Sequence, residues 1–205
     1  MEFNNLIKER RSIGYFDPKK NIDDELLKKI INESTLTPSA FNFQPWELLI
    51  IRSKEARQKL FDNACKQPRV LEAPIIIAVL GKTKGYEIDN PIWDIKIKNK
   101  SLNIESKDKV LDICRNTLYS TPTKEIEFAI RNSSFFAMSI MYTAKNYGVD
   151  THPMIGFNEE EVKKIFKIEK DKKVTMLIAM GYHDSTKTLY SREYRFSYEE
   201  ICKEF

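Results

Sequence analysis

Two arginines and a serine stand together near the start of the chain, at Arg10-Arg11-Ser12. Guanidinium groups match phosphate oxygens with paired hydrogen bonds, and a hydroxyl adds another. The triplet therefore indicates a phosphate-binding turn. Its alternative interpretation is surface charge at the C-terminal end of a helix, where cations are favourable in any case.

A second polar segment covers residues 37–46 and leads directly into an apolar run. Its two prolines restrict the backbone, so its hydroxyl and amide groups can meet a heteroaromatic ligand at little ordering cost. The candidate residues are Pro38, Ser39, Ala40, Asn42 and Gln44. As structure alone, the segment is a helix-to-strand turn in which Asn42 bonds its own backbone. A third segment, residues 150–157, holds Pro153 and Gly156 and is predicted to be a turn between helices.

Several catalytic signatures are missing from the sequence. None of the six glycines lies two residues from another, so the Gly-x-Gly-x-x-Gly fingerprint cannot be formed, and no P-loop is present. The two histidines, His152 and His183, are too few for a histidine-rich metal site. No Gly-x-Ser-x-Gly nucleophile elbow occurs, and no metal is expected.

Local patterns predict the elements that must position these segments. Apolar periodicity and capping residues predict helices over residues 2–11, 23–35, 53–63, 158–166 and 196–205. Short apolar runs predict strands buried on both faces over residues 46–51, 73–80 and 174–180. Residues 82–123 are charged and weakly periodic, and are predicted to form irregular or helical surface that carries Trp93 and Tyr119.

The longest predicted helix covers residues 125–147 and is apolar around much of its circumference. Such a helix is buried on most sides. Full burial is difficult within a chain of 205 residues, so the helix indicates a partner subunit.

Composition limits the class of protein. A chain with 41% hydrophobic and 31% charged residues is typical of one globular domain. Most of the lysines lie singly among acidic residues, so the net charge of +4 predicts a solvated surface and no nucleic-acid binding. No signal peptide and no membrane-length apolar run is found, which predicts a cytoplasmic protein that does not bind membranes. The three cysteines are widely spaced and are expected to be reduced.

The segments together resemble the nitroreductase family in order and spacing across nearly the whole chain. The matching motifs are Arg10-Arg11-Ser12, the Pro-Ser-x-x-Asn-x-Gln-Pro-Trp pattern at 38–46, the Gly-to-Phe segment at 148–157, and Gly181-Tyr182. The second motif is the most specific. The resemblance implies an α+β fold, with a mostly antiparallel central sheet flanked by helices, in an intertwined homodimer that binds FMN at its interface.

The resemblance also implies roles for particular residues. Arg10 and Ser12, with Arg192 or Arg195, would hold the FMN phosphate, and Arg11 would lie beside the ribityl chain or the ring edge. The loop residues Pro38, Ser39 and Asn42, with Ala40, would line the flavin from the partner subunit, and Gln44 in the same set would mainly fix the loop. Gln67 and Arg69 would meet the pyrimidine edge, where Arg69 is the candidate charge stabiliser. Met154, Ile155 and Gly156 would offer backbone groups near flavin N5. Gly14 departs from the family, because many members carry Arg or Lys there.

The activity that the resemblance implies is transfer of hydride from NADH or NADPH, through FMN, to a nitroaromatic, quinone or similar acceptor by a ping-pong mechanism. The alternatives are another flavin reaction, such as dehalogenation, ring dehydrogenation or flavin breakdown, or a flavin-binding module without catalysis. The tail, residues 189–205, carries five aromatic rings with Arg192 and Arg195, and is predicted to pack on the partner subunit.

Overall fold

A four-stranded antiparallel sheet lies at the centre of the computed structural model, which describes residues 1–205. The elements in chain order are α1 (Phe3–Glu9), α2 (Asp24–Ser34), a short 3-10 turn (Ala40–Asn42), β1 (Trp46–Ile51), α3 (Lys54–Asn63), α4 (Arg69–Glu72), β2 (Ile75–Lys82), α5 (Ile92–Lys98), α6 (Ile104–Ile113), a π-helical turn (Cys114–Leu118), α7 (Pro122–Asn146), β3 (Asp150–Met154), α8 (Glu159–Phe166), β4 (Lys172–Gly181) and α9 (Tyr198–Ile201).

The strands stand in the order β1-β2-β4-β3, and each neighbouring pair is antiparallel. The predicted α+β fold with an antiparallel sheet is therefore confirmed. Strands β2 and β4 form the buried centre. β1 lies at an edge and leaves Ile50 37% exposed, so the prediction that it is buried on both faces was wrong. An apolar run does not reveal whether a strand has one neighbour or two.

Hydrophobic clusters cover the two faces of the sheet. Alternate residues of β2 point to opposite sides, as a strand requires. Ile76, Ala78 and Leu80 join the cluster that packs against α3, α4 and α8. Ile75, Ile77 and Val79 join the cluster formed with α2 and α7. The sheet is thus a layer between two sets of helices.

Helix α7 is the longest element and crosses all four strands. Thr121 caps it by accepting the Lys124 N–H, and Pro122 occupies the first turn, where a missing N–H costs nothing. One side is fully buried, but Ile126 and Ile130 are each 38% exposed and Phe135 is 55% exposed. The single chain therefore leaves part of the apolar circumference of this helix uncovered.

The charged region after β2 is more ordered than the sequence predicts. It forms α5, α6 and the π-helical turn, and Trp93 is only 1% exposed. Trp93 belongs to a third cluster with Phe43, Phe128 and Cys114. The prediction that Trp93 lies on the surface was wrong, because its burial comes from residues distant in sequence and not from local periodicity.

The predicted turn at 150–157 is also corrected. Residues Asp150–Met154 form β3, which pairs with β4 from Asp150 opposite Gly181 to Met154 opposite Leu177. β3 is an edge strand, and an edge strand tolerates Pro153, because one side of its backbone has no ladder partner. The remaining helices and strands agree with prediction within a few residues, except that the predicted terminal helix is reduced to α9, Tyr198–Ile201.

The C-terminal tail is the least covered part of the chain. Tyr190, Tyr194, Phe196 and Tyr198 are 59–73% exposed. From residue 193 onward, hydrogen bonds join tail residues only to one another. The three cysteines are unpaired, and none of the helices is both long and apolar enough to span a membrane.

Candidate functional site

The predicted phosphate turn is formed where α1 ends. Arg10 follows the last turn of α1, and Arg192 from the tail donates to the carbonyl oxygens of Lys8 at 2.7 Å and Arg10 at 2.9 Å. These carbonyls belong to the end of the helix, where backbone acceptors lack helical partners. Arg192 therefore fastens the start of the tail to the arginine turn, which we define as residues 10–12 with Arg192.

The charges of the arginine turn are not neutralised within the chain. Burial is the main cause that lowers the pKa of Arg10, and the nearby charges of Arg192 and Arg195 lower it further. None of these three residues forms an ion pair with a carboxylate. Arg195 instead donates to the carbonyls of Glu193 and Tyr194. A concentration of unpaired guanidinium groups fits an anion with several oxygens.

A second group of residues, the polar edge, lies beside the arginine turn and consists of Gly14, Gln67, Arg69, His152 and Gly156. The Arg69 Nη1 donates to Gln67 Oε1 at 3.4 Å, whereas Arg69 Nε is buried and has no partner. A methyl group added to Gly14 would lie 3.9 Å from Arg69 Nη2, and one added to Gly156 would lie 3.7 Å from Gln67 Nε2. The two glycines thus leave open space against the polar side chains.

The buried Arg69 Nε tests whether this edge fits a ligand. An unsatisfied buried donor costs about 1–3 kcal/mol, so native proteins rarely retain one without a purpose. A planar heterocycle with acceptor atoms along one edge would supply the missing partner. The residues present therefore fit such a group.

His152 belongs to the polar edge, a position that was not predicted from the sequence, because its segment was predicted to be a turn. Its Nδ1 donates to the Ile13 carbonyl at 2.8 Å, which leaves Nε2 as an acceptor. Burial, and then the charge of Arg69, lower the pKa of His152 from 6.5 to about 4. The imidazole is therefore neutral at neutral pH and adds no positive charge beside Arg69.

The second predicted segment forms a loop with an unusual backbone. Phe41, Asn42 and Gln44 have φ values of 51°, 55° and 49°, in the left-handed region that non-glycine residues rarely adopt. We call residues 38–44 the strained loop. Such conformations cost about 1–3 kcal/mol each and persist only where the surroundings fix them.

Three side chains fix the strained loop. Asn132, buried in α7, accepts the Ala40 N–H at 2.8 Å through Oδ1. Asn90 donates to the Phe43 carbonyl at 2.8 Å, and Ser39 Oγ accepts the Gln44 N–H at 3.0 Å. The buried Phe43 ring lies 5.1 Å from the ring of Trp93.

These contacts leave the Asn42 side chain exposed and without a hydrogen bond in the chain. The alternative in which Asn42 ties the turn to its own backbone is therefore wrong, because Ser39 performs that task. The side chain of Gln44 is likewise exposed and without a hydrogen bond, so the prediction that Gln44 mainly fixes the loop was wrong. Asn90 and Asn132 were not identified from the sequence. Asn132 could have been identified because it is an amide among the small and apolar residues on the buried side of α7, and a buried amide needs a hydrogen-bond partner.

The structure brings the predicted residues into two separate places. The arginine turn and polar edge adjoin edge strand β3, whereas the strained loop precedes the opposite edge strand, β1. Three strand spacings amount to about 14 Å. Along α7, Asn132 at the loop and Tyr142, which lies near Arg10, are about 15 Å apart by helical rise.

The remaining predicted residues are placed as follows. Arg11 is partly buried and Ser12 is exposed, and Ser12 forms an isolated bridge with Thr151. Met154 is 2% exposed, so its side chain belongs to the core and only its backbone can face a ligand. Ile155 is 77% exposed beside Gly156.

Comparisons with known proteins agree on one family. The nitroreductase family model matches residues 7–182. MhqN of Bacillus subtilis, named as an NAD(P)H nitroreductase, is 33% identical over 206 residues, covering 98% of each chain. The crystal structure of ydfN from Bacillus subtilis, described as a nitroreductase, superposes with a TM-score of 0.91 at 30% identity, covering 100% of this chain and 99% of that one. A nitroreductase of Exiguobacterium sibiricum in complex with FMN superposes with a TM-score of 0.85 at 27% identity, covering 99% and 97%.

Replacing Asn132 by Ala should loosen the strained loop. The Ala40 N–H loses its acceptor, and the three left-handed residues lose one of the contacts that fix them. Hydrogen-deuterium exchange should become faster in peptides covering residues 38–46. Ser133→Ala is the matched control, because Ser133 is the next residue of α7, is buried, and bonds to Thr175 and not to the loop. Equal protection of these peptides in both variants would contradict the assignment.

The depressed pKa of His152 predicts a loss of stability in acid. Between pH 6.5 and about 4 the unfolded chain binds the proton more readily than the folded chain, so the free energy of unfolding falls as the pH falls through this window. The contribution is fully present above pH 6.5. Urea unfolding at pH 7 and pH 4.5 should show a smaller difference for His152→Gln than for the wild type. His183→Gln, at the only other histidine, is the matched control. If His152→Gln behaves like this control, His152 does not titrate as described.

Proposed function

The chain belongs to the nitroreductase family, and we propose on this basis that it is an FMN-dependent oxidoreductase that uses NADH or NADPH to reduce a nitroaromatic, quinone or similar acceptor. The observation that carries the proposal is the polar edge, where the buried Arg69 Nε lacks a partner beside Gln67 and two glycines. The FMN complex of the Exiguobacterium sibiricum relative supports the choice of heterocycle.

The arginine turn would hold the phosphate of FMN. Arg10 supplies a guanidinium that no carboxylate neutralises, and Ser12 adds a hydroxyl. Arg192, whose Nη2 atom is already bonded to backbone carbonyls, holds the turn in shape and adds positive charge. Many family members have an Arg or Lys at the position of Gly14. In this chain, Arg192 of the tail would supply the positive charge that Gly14 lacks.

The polar edge would receive the pyrimidine side of the ring. Gln67 offers an amide, and Arg69 offers both a buried N–H and a positive charge. Because His152 is neutral, Arg69 provides the only positive charge of the polar edge. Gly156, which has no side chain to block Gln67, would offer backbone groups to the ring together with the exposed Ile155.

Bound FMN supplies the redox chemistry, since it can accept a hydride from NADH or NADPH and pass two electrons to an acceptor. The protein binds and orients the two substrates in turn, which gives the ping-pong order. Arg69 would favour the reduced form of the cofactor, because its positive charge would stabilise the negative charge that reduction adds. No side chain is assigned as a general acid, and solvent supplies the proton.

The strained loop would complete the site from a second copy of the chain. Within one chain the loop and the polar edge lie at opposite edges of the sheet. The exposed Ile126 and Ile130 of α7 and the aromatic tail offer apolar surface for a homodimer interface. In that dimer the exposed Asn42 amide, with Pro38, Ser39, Ala40 and Gln44, would line the flavin of the partner. After Arg192, which is bonded to its own chain, the rest of the tail (residues 189–205) packs on the partner.

We place the dimer in the cytoplasm.

A spectroscopic titration tests the proposed function. Purified protein titrated with FMN should become yellow with a saturating flavin spectrum, and the flavin absorbance should bleach on anaerobic addition of NADH or NADPH. Added nitroaromatic or quinone should restore the colour. A protein that does not bind FMN contradicts the proposal, and one that binds FMN but is bleached by neither nucleotide is a flavin-binding module and not a reductase.

Replacing Arg10 by Ala should weaken FMN binding by about 2 kcal/mol, or roughly thirtyfold in the dissociation constant, as expected for a charge-assisted contact. Arg52→Ala is the control, because Arg52 is a surface arginine that pairs with Asp24 and lies outside the site. Fluorescence titration of FMN gives both constants. An unchanged dissociation constant in Arg10→Ala would remove the phosphate role.

Truncation after Thr188 should dissociate the dimer or abolish flavin binding, because it removes the aromatic tail and Arg192 together. Light scattering and the flavin spectrum measure the two effects. Arg192→Ala in the full chain separates the two effects, because it removes the hydrogen bonds of Arg192 to Lys8 and Arg10 but keeps the aromatic rings of the tail. A truncated protein that remains dimeric and binds FMN normally would show that the tail neither packs on the partner nor contributes to the phosphate site.

A further inference from the structure

A cavity of about 510 Å³ opens between the π-helical turn and α7, and nothing in the site described so far accounts for it. Ala40 of the strained loop and Asn132, which holds that loop, both line it. The loop that is proposed to line the flavin therefore also borders this cavity. Its volume lies within the range of pockets that bind small organic molecules.

Aromatic and aliphatic side chains form the apolar part of this cavity. The rings of Tyr119 and Phe128 lie 4.4 Å apart between their centroids. Phe135 is 55% exposed and Leu118 is 40% exposed, so both leave apolar surface uncovered. Such a surface favours a flat, conjugated ligand, because aromatic rings pack best against planar apolar groups.

The π-helical turn shapes one side of the cavity. The Tyr119 N–H bonds the Cys114 carbonyl five residues earlier, at 2.8 Å, which is the wider spacing of a π-helix. The wide turn ends in Leu118 and Tyr119, both of which line the cavity. Turns of this type are uncommon and occur frequently at functional sites.

The charge of the cavity comes from Lys124. Its Nζ lies 3.3 Å from both the Thr117 carbonyl and Ser120 Oγ, which are neutral, and it has no carboxylate partner. Arg131 also lines the cavity but pairs with Glu127 at 2.8 Å, so these two charges offset each other. A single unpaired cation therefore stands beside an aromatic surface.

We propose that this cavity selects aromatic carboxylates as electron acceptors, with the ring against Tyr119 and Phe135 and the carboxylate at Lys124. The proposal rests on the proposed function, and it narrows the acceptor to an acidic class. For a nitrobenzoate, two electrons from NAD(P)H, delivered as hydride, and one proton from solvent convert the nitro group to a nitroso group and water, and NAD(P)⁺ is released.

Two probes of the same shape test the proposal, 4-nitrobenzoate and its neutral analogue 4-nitrobenzamide. The FMN-loaded protein should have a KM about tenfold lower for the carboxylate, the scale of one charge-assisted contact. Lys124→Gln should remove this preference, and Lys124→Arg should retain it. Calorimetric titration of the oxidised protein with benzoate, which is not reduced, should show the same dependence on Lys124 without turnover.

The outcomes separate this proposal from the proposed function. A protein that reduces the amide as well as the carboxylate, with neither affected by Lys124→Gln, overturns the acidic preference but remains a reductase. A carboxylate preference that survives Lys124→Gln overturns the assignment to this cavity. A protein that oxidises neither NADH nor NADPH, with either probe or with a quinone, overturns the proposed function and this inference together.

Discussion

The hydrogen bond from the Ala40 N–H to Asn132 Oδ1 joins the strained loop to the central helix, and the geometry of the site depends on it. Three non-glycine residues in left-handed conformations would relax into ordinary ones if the loop were free. Asn132 and Asn90 oppose this relaxation through hydrogen bonds to the loop backbone, and the buried Phe43 ring opposes it by packing against Trp93. The region between β2 and α7 thus supports the loop, because its Trp93 forms part of the cluster that holds Phe43.

Positive charge and a buried polar group without a hydrogen-bond partner are concentrated at the arginine turn and the polar edge. The arginine turn carries guanidinium groups without carboxylate partners, and the polar edge carries a buried donor without an acceptor. Both features disfavour the empty folded state, so a ligand that supplies phosphate oxygens and acceptor atoms would stabilise the fold by binding it. His152 limits this cost, because its lowered pKa keeps it neutral beside Arg69.

The sequence predicted the local features well and the long-range ones poorly. The central strands, the capped helices and the antiparallel fold follow from apolar patterns and from the resemblance, and the structure confirms them. β3 was missed because Pro153 and Gly156 are typical of turns, yet an edge strand tolerates the proline. Trp93 and Asn132 were missed because their roles depend on contacts with the strained loop, 50 and 92 residues away in sequence. The choice of Arg192 as the tail residue bonded to the arginine turn likewise needed the structure.

We propose that each FMN site combines the arginine turn and polar edge of one subunit with the strained loop of another. Mixed dimers of two defective variants test it most directly. Arg10→Ala damages the turn, and Ala40→Pro removes the N–H that Asn132 accepts, while the extended backbone of Ser39 suits a following proline. A dimer with one chain of each kind, isolated through two different tags, should regain one wild-type FMN site per two chains. Mixed dimers that bind FMN no better than either variant alone would show that the loop and the turn act within one chain.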